Sequence, residues 1–238
     1  MMSSRAESRS RLFVLLARGF GYPTREFFTQ VDDGAYGRAV GDAYRAAFGE
    51  GPTPSLHVGD FESWETEYAT LFDVGRRGRP LISLSAGDHD DLIDGRERPQ
   101  FLLEYVRWYS HFGLKTHREA SSRELPDHLT CQLEFMAWLT HLEATAGDGE
   151  ALRSGYRHAQ FDFCQRLLRP FVDRISVAAE HEVARLGFAP FFPEIALVAL
   201  RAVELVVRDA EPSGRTVGPR SSGLVDDSEI QDLWGEPM

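Results

Sequence analysis

Glu124, Asp127, His128 and Cys131 bring carboxylate, imidazole and thiol chemistry together within eight residues, in the run Arg123-Glu-Leu-Pro-Asp-His-Leu129 and the helix that follows it. Histidine is the side chain most easily switched near neutral pH, and carboxylates beside it suit either proton transfer or the capture of cations. Catalysis is poorly served by the set. His128-x-x-Cys131 offers two metal ligands, but no second pair completes a zinc site, and there is no pair of Glu-x-x-His motifs for a di-iron centre. Asp88-His89-Asp90-Asp91 is acidic enough to attract a cation, yet lacks the spacing of a calcium loop and reads as a charged, solvated loop. No Gly-rich phosphate loop, G-x-S-x-G or dinucleotide fingerprint occurs. Composition and spacing are satisfied by a well-signalled helix start carrying a partly buried histidine. The alternative is a recognition site, with carboxylates and one titratable ring beside an aromatic groove.

The elements that must position these residues read as helices. Pro126 suits a first helical turn and Asp127 its positive end, so a helix is expected to open there. It carries two apolar stripes, Leu129-Leu133-Met136-Leu139 and Cys131-Phe135-Trp138-Leu142, which predict a central position packed from more than one side. His128 begins the second stripe, so its ring is expected at the mouth of a crevice. Steps of three and four recur at Leu12, Leu15, Leu16 and Phe20, and at Phe61, Trp64, Tyr68, Leu71 and Phe72. They recur at Phe101, Tyr105, Trp108 and Phe112, at Leu152, Tyr156, Phe163 and Leu167 until Pro170 interrupts, and at Phe171, Ile175, Val183 and Leu186. Ile195 to Val207 is apolar on almost all sides, as a buried helix is. Leu81 to Leu84 alone looks strand-like. The prediction is an all-α, single-domain helical bundle of eight to ten helices over residues 1–208. Residues 74–96 form a long polar loop within it, and residues 209–238 a flexible, disordered tail. That tail sets seven acids against Arg215 and Arg220, a net of five negative charges.

Length and composition narrow the function further. A chain of 238 residues buries enough surface to fold without a metal or disulfide staple. Its net charge of −11 argues against nucleic acid or an anionic membrane as the main partner. Cys131 and Cys164 are too few for a disulfide framework and suit a reducing compartment. The apolar run Leu12 to Ala17 is too short for a signal peptide or a spanning helix, which needs about 20 residues. The chain is therefore expected in the cytoplasm, without stable membrane insertion.

Three motifs in order along residues 10–208 resemble the TorD/DmsD/NarJ family, chaperones for molybdenum enzymes of the dimethyl-sulfoxide-reductase type. They are Tyr68-Ala-Thr-Leu71-Phe72 followed by Pro80-Leu-Ile-Ser-Leu84, Arg107-Trp-Tyr-Ser-His-Phe-Gly-Leu114, and Glu124-Leu-Pro-Asp127-His128 ahead of Leu133-Glu-Phe-Met136. The resemblance implies an all-helical, TorD-like fold and a non-enzymatic role without a cofactor of its own. It also implies a partner: the unfinished catalytic subunit of a molybdenum oxidoreductase, held by its N-terminal twin-arginine signal peptide until the molybdopterin cofactor is inserted. The protein would act as a monomer or dimer. By resemblance, binding roles fall on Tyr68, Leu71, Phe72, Pro80, Glu124, Asp127 and His128. Tyr68, Leu71 and Phe72 would line an apolar groove, and Glu124 and Asp127 would meet the signal's arginines, as in helix-in-groove recognition.

Leu125 stands where DmsD-like members have proline, and Tyr68 where some members have tryptophan; both departures bear on the identity of the client. The wording around Glu124 and Leu133 is similar to the branch serving dimethylsulfide or ethylbenzene dehydrogenase and selenate or chlorate reductase. The competing reading is a small helical metalloenzyme using His128, Cys131 and nearby carboxylates. If Glu124 and Asp127 meet arginines, the Glu124→Gln/Asp127→Asn double variant should bind its partner more weakly and with a flatter salt dependence; unchanged affinity would remove that role.

Overall fold

Capping and apolar spacing set the helices, and one central helix gathers them. The computed structural model describes residues 4–51, 54, 56–74, 79–114, 125–147 and 149–209. Ser4 and Glu7 form a reciprocal capping box that starts α1 (Arg5–Gly19). Thr24 caps α2 (Arg25–Asp32), and Gly34, at a left-handed φ of 73°, turns the chain into α3 (Ala35–Phe48). Asp60 caps α4 (Phe61–Tyr68), which runs into a π-turn at Ala69–Asp73. A 3-10 turn (Ala86–Asp88) and the short α5 (Asp90–Ile93) precede α6 (Arg98–His111). The remaining helices are α7 (Leu129–Thr145), α8 (Glu150–Phe163), a second π-turn (Cys164–Leu168), α9 (Arg169–Leu186) and α10 (Phe191–Asp209). The fold is all-α, and no strand occurs among the described residues.

α7 lies against α1 and α8, as its two apolar stripes require. Leu129, Leu133, Met136 and Leu139 are fully buried, and Phe135 is nearly so. Trp108, Phe112, Phe135 and Phe163 interlock edge-on or stacked, tying α6 and α8 to α7. One buried polar node crosses this core. Arg9 and Gln160 both donate to the Glu143 carboxylate, at 2.8 and 2.9 Å, joining α1, α7 and α8. α10 is buried along most of its length, and Phe191 and Phe192 at its start pack on Tyr36, Trp64 and Phe72.

Three expectations are corrected. Pro170 does not break the helix: the chain stays helical from Glu150 to Leu186, widening to a π-turn just before the proline. A proline ring crowds the carbonyl four residues back, and the wider turn gives that carbonyl room. The stripe on α8 is also shorter than expected. Leu152 is 51% exposed and Tyr156 half-buried, while Ala159, Phe163, Cys164, Leu167 and Leu168 form the core face. Residues 74–96 are only partly a polar loop, because Ile82, Leu84 and Ala86 are buried and 86–93 is largely helical. The expected tail lies outside the described residues, except for Asp209, which ends α10.

The shortened stripe gives a direct check by urea unfolding. Phe163→Ala should cost about 3–5 kcal/mol, whereas Leu152→Ala should stay within about 0.5 kcal/mol. Equal losses at the two positions would contradict this pattern of burial.

Candidate partner-binding site

Two of the three sequence motifs converge where the 80–88 segment crosses the start of α7. Leu71 lies in the π-turn that ends α4, and the Ile82 amide donates to its carbonyl at 2.8 Å. Further on, the Leu129 amide donates to Leu84 O at 2.8 Å and the Ala86 amide to Asp127 O at 3.2 Å. Ser85 and His128 thus form an isolated antiparallel bridge. The Asp127 carboxylate then reaches across, and one of its oxygens accepts the Gly87 amide at 2.6 Å. Residues 80–88 form a strap stitched to Leu71 on one side and to residues 127–129 on the other.

The start of α7 differs from the expected one. Pro126 and Asp127 precede the helix, and His128 is its N-cap, with an extended ψ of 143° and its Nδ1 facing the Thr130 amide and hydroxyl. Pro126 and Asp127 stay outside because their carbonyls are already engaged. Tyr109 Oη donates to Pro126 O at 2.6 Å, and Gln132 Nε2 donates to Asp127 O at 2.7 Å.

Asp127, expected to meet a partner's arginine, is fully buried in the free protein, where its carboxylate faces the strap. Burial raises its carboxyl above the ordinary range, with Asp88 adding to the rise; the Gly87 amide, its own amide and the Arg98 charge oppose that shift. Gly87 is what allows the close approach, since a Cβ there would lie 2.9 Å from Asp127 Oδ2.

The acidic run beside the strap is divided among separate arginines. Asp88 pairs with Arg98 at 2.5 Å and accepts from Ser83 at 2.6 Å, while Asp91 pairs with Arg174 at 2.8 Å. His89 accepts from Arg174 Nε through Nδ1 at 2.9 Å, so its Nε2–H is the proton that reaches Ser83 O. No group of three His, Cys, Asp or Glu able to hold a metal gathers among the described residues.

The other candidates lie as follows. Leu71 is fully buried and touches the strap through its carbonyl. Tyr68 and Phe72 are buried too, with ring partners in Tyr22 and Phe192, and Tyr68 Oη donates to Phe20 O. Pro80 is half-buried where the strap begins, and His128 is half-buried at its crossing. Glu124 lies outside the described residues. Leu71, the strap and Asp127-His128 are therefore brought together, while Tyr68 and Phe72 join an aromatic cluster whose one open ring is Tyr22, 53% exposed and donating to Glu65. Gly87, Arg98 and Arg174 were missed. A glycine and two arginines in polar surroundings carry no periodic signal, and only the fold shows what they approach.

With this geometry in hand, similarity to known proteins is informative. Residues 11–176 match the model of the family described as nitrate reductase delta subunit. The chain belongs to that family. It is 34% identical to the dimethyl sulfide dehydrogenase assembly chaperone protein of Rhodovulum sulfidophilum, over 98% of this chain and 94% of that protein. It is 31% identical to the perchlorate reductase assembly chaperone protein of Dechloromonas aromatica, over 76% of this chain and 82% of that one. The nitrate reductase molybdenum cofactor assembly chaperone NarJ of Escherichia coli is 36% identical over 83 residues, 35% of this chain and 31% of its own. No solved structure matches the chain. The resemblance read from Tyr68-Phe72, Arg107-Leu114 and Glu124-His128 is thereby borne out at the level of the family.

The buried carboxyl predicts a pH signature. Because Asp127 binds its proton more tightly in the folded state, it lowers stability as pH rises from the unfolded value of 3.8 through its raised native value. Asp127→Asn lacks this penalty. Measured against that variant, the melting temperature of the parent should fall as pH rises through this interval; a difference independent of pH would contradict the buried charge.

Proposed function

We propose that this protein is a system-specific chaperone that binds the unfinished catalytic subunit of a dimethyl-sulfoxide-reductase-type molybdenum oxidoreductase. The carrying observation is similarity over nearly the whole chain to a dimethyl sulfide dehydrogenase assembly chaperone; the contacts of residues 80–88 with Leu71 and with residues 127–129 support the reading. In this reading the protein performs no turnover and holds no cofactor. It works in the cytoplasm, as a monomer or dimer, on the N-terminal twin-arginine region of its client. It keeps the client open for molybdenum cofactor insertion and delays export until assembly is complete. The absence of any helix long and apolar enough to cross a membrane, among the described residues, agrees with action on a partner in solution.

Leu71, buried in the free protein, supplies contacts for the client's apolar segment together with the strap and the half-buried His128, and Tyr68, Phe72 and Pro80 support that face from behind. Glu124 and Asp127 are the carboxylates matched to the client's arginines, Asp127 only after its present contact with Gly87 is given up.

The test is a pull-down from the native cell with the full chain as bait, combined with mass spectrometry and a metal assay of the bait. The expected result is a molybdenum-enzyme catalytic subunit retained on a metal-free bait, and its loss when the client's first residues are deleted. A bait with stoichiometric metal and no such subunit would support the His128/Cys131 metalloenzyme instead.

A further inference from the structure

The strap sits where a bound peptide would sit. Its side chains alternate, with Ile82, Leu84 and Ala86 buried and Leu81, Ser83 and Ser85 partly open, the period of an extended chain lying on a core. Its backbone is satisfied by its hosts at Leu71, Asp127 and Leu129 rather than by a neighbouring strand. Extended peptides are received in this way, by main-chain hydrogen bonds with pockets for alternate side chains.

A second observation points to another ligand at the same place. Asp127 is fully buried, yet its Oδ1 has no hydrogen-bond partner among the described residues, and its Oδ2 takes one amide from the strap. A carboxylate accepts several donors, and a guanidinium offers two in a fork of matching width. The nearby guanidinium of Arg98 is committed to Asp88. The outer fastenings of the strap, Arg98–Asp88 and Arg174–Asp91, are 38–54% exposed, and ion pairs of that kind exchange readily.

We propose that residues 80–88 are a displaceable internal occupant of the client cleft: an extended apolar client segment takes their place against Leu71 and Leu129, and a client arginine takes the Gly87 amide's place on Asp127. This rests on the chaperone reading above and adds the step that makes Asp127 accessible. The free protein keeps its cleft filled, so an apolar surface and a buried charge are exposed only when a client is present to cover them.

Ser85 and His128 face each other as a non-hydrogen-bonded antiparallel pair, a pairing that in general sets Cα atoms about 4.5 Å apart, within disulfide reach. In a Cys131→Ser background, which removes the half-buried thiol and leaves Cys164 buried, Ser85→Cys/His128→Cys should lock the strap on oxidation. The probe is a synthetic peptide with an arginine pair followed by an apolar stretch. Oxidation should weaken its binding by at least about tenfold, and reduction should restore it, with circular dichroism unchanged. Equal binding by the oxidised and reduced forms would overturn the proposal.

If loss of His128 itself abolishes binding, the unmodified chain decides. Saturating peptide should speed amide exchange at Ile82, Ala86 and Gly87, and unaltered protection there with peptide bound would also overturn it. Failure of the unmodified chain to bind the peptide at all is a different result. It removes the signal-segment reading on which the proposal rests, while leaving the pull-down of a catalytic subunit to stand or fall separately.

Discussion

A carboxylate taken out of water is the constraint around which this site is arranged. Burial next to α7 shifts the protonation of Asp127 toward the neutral form, and one strap amide, its own amide and the field of Arg98 oppose that shift without cancelling it. A buried charge is tolerated only where donors are fixed in place. Here the donor is Gly87, the position on the strap where the absence of a Cβ permits the approach. From that contact the rest follows in sequence. The strap is drawn over the start of α7, Leu84 and Ala86 bond to residues 127–129, and the far end of the strap bonds to the Leu71 carbonyl in the π-turn after α4.

The two π-turns share this logic. The first, at Ala69–Asp73, contains Leu71, whose carbonyl accepts from the strap. The second, at Cys164–Leu168, admits Pro170 without breaking the helix and so places Phe171 and Arg174 against His89. Wide turns of this kind interrupt the helical ladder at chosen points and are common at functional sites. The strap and its α5 extension are thus held between departures from regular helix, with the regular core behind them.

Much of the helical body was legible in the sequence. The twin stripes of α7, the aromatic steps of α6 and the all-round apolarity of α10 each fixed a helix and its buried side, because those segments keep the 3.6-residue period throughout. Leu152 and Tyr156 misled because they lie on the same stripe as Ala159 and Phe163 but in the first turns of α8, where the core no longer covers that face, and spacing alone does not show where packing stops. α2 and α3 drew no notice, although Tyr36, Val40, Ala43, Tyr44 and Ala47 are a buried stripe at helical spacing. At the site, residue types pointed to Asp127 and His128, but their placement did not follow. A carboxylate beside a proline reads as a solvated helix start, and its burial depends on Gly87, forty residues earlier in the chain.

The most direct test of this account is a double-variant cycle on the clasp. Gly87→Ala should cost about 1–3 kcal/mol in the parent, since the new methyl is forced onto the Asp127 oxygen. In an Asp127→Ala background, where that oxygen is gone, the same substitution should cost close to nothing. A Gly87→Ala penalty of the same size in both backgrounds would show that the two residues are not coupled, and that the strap is held by something other than the buried carboxylate.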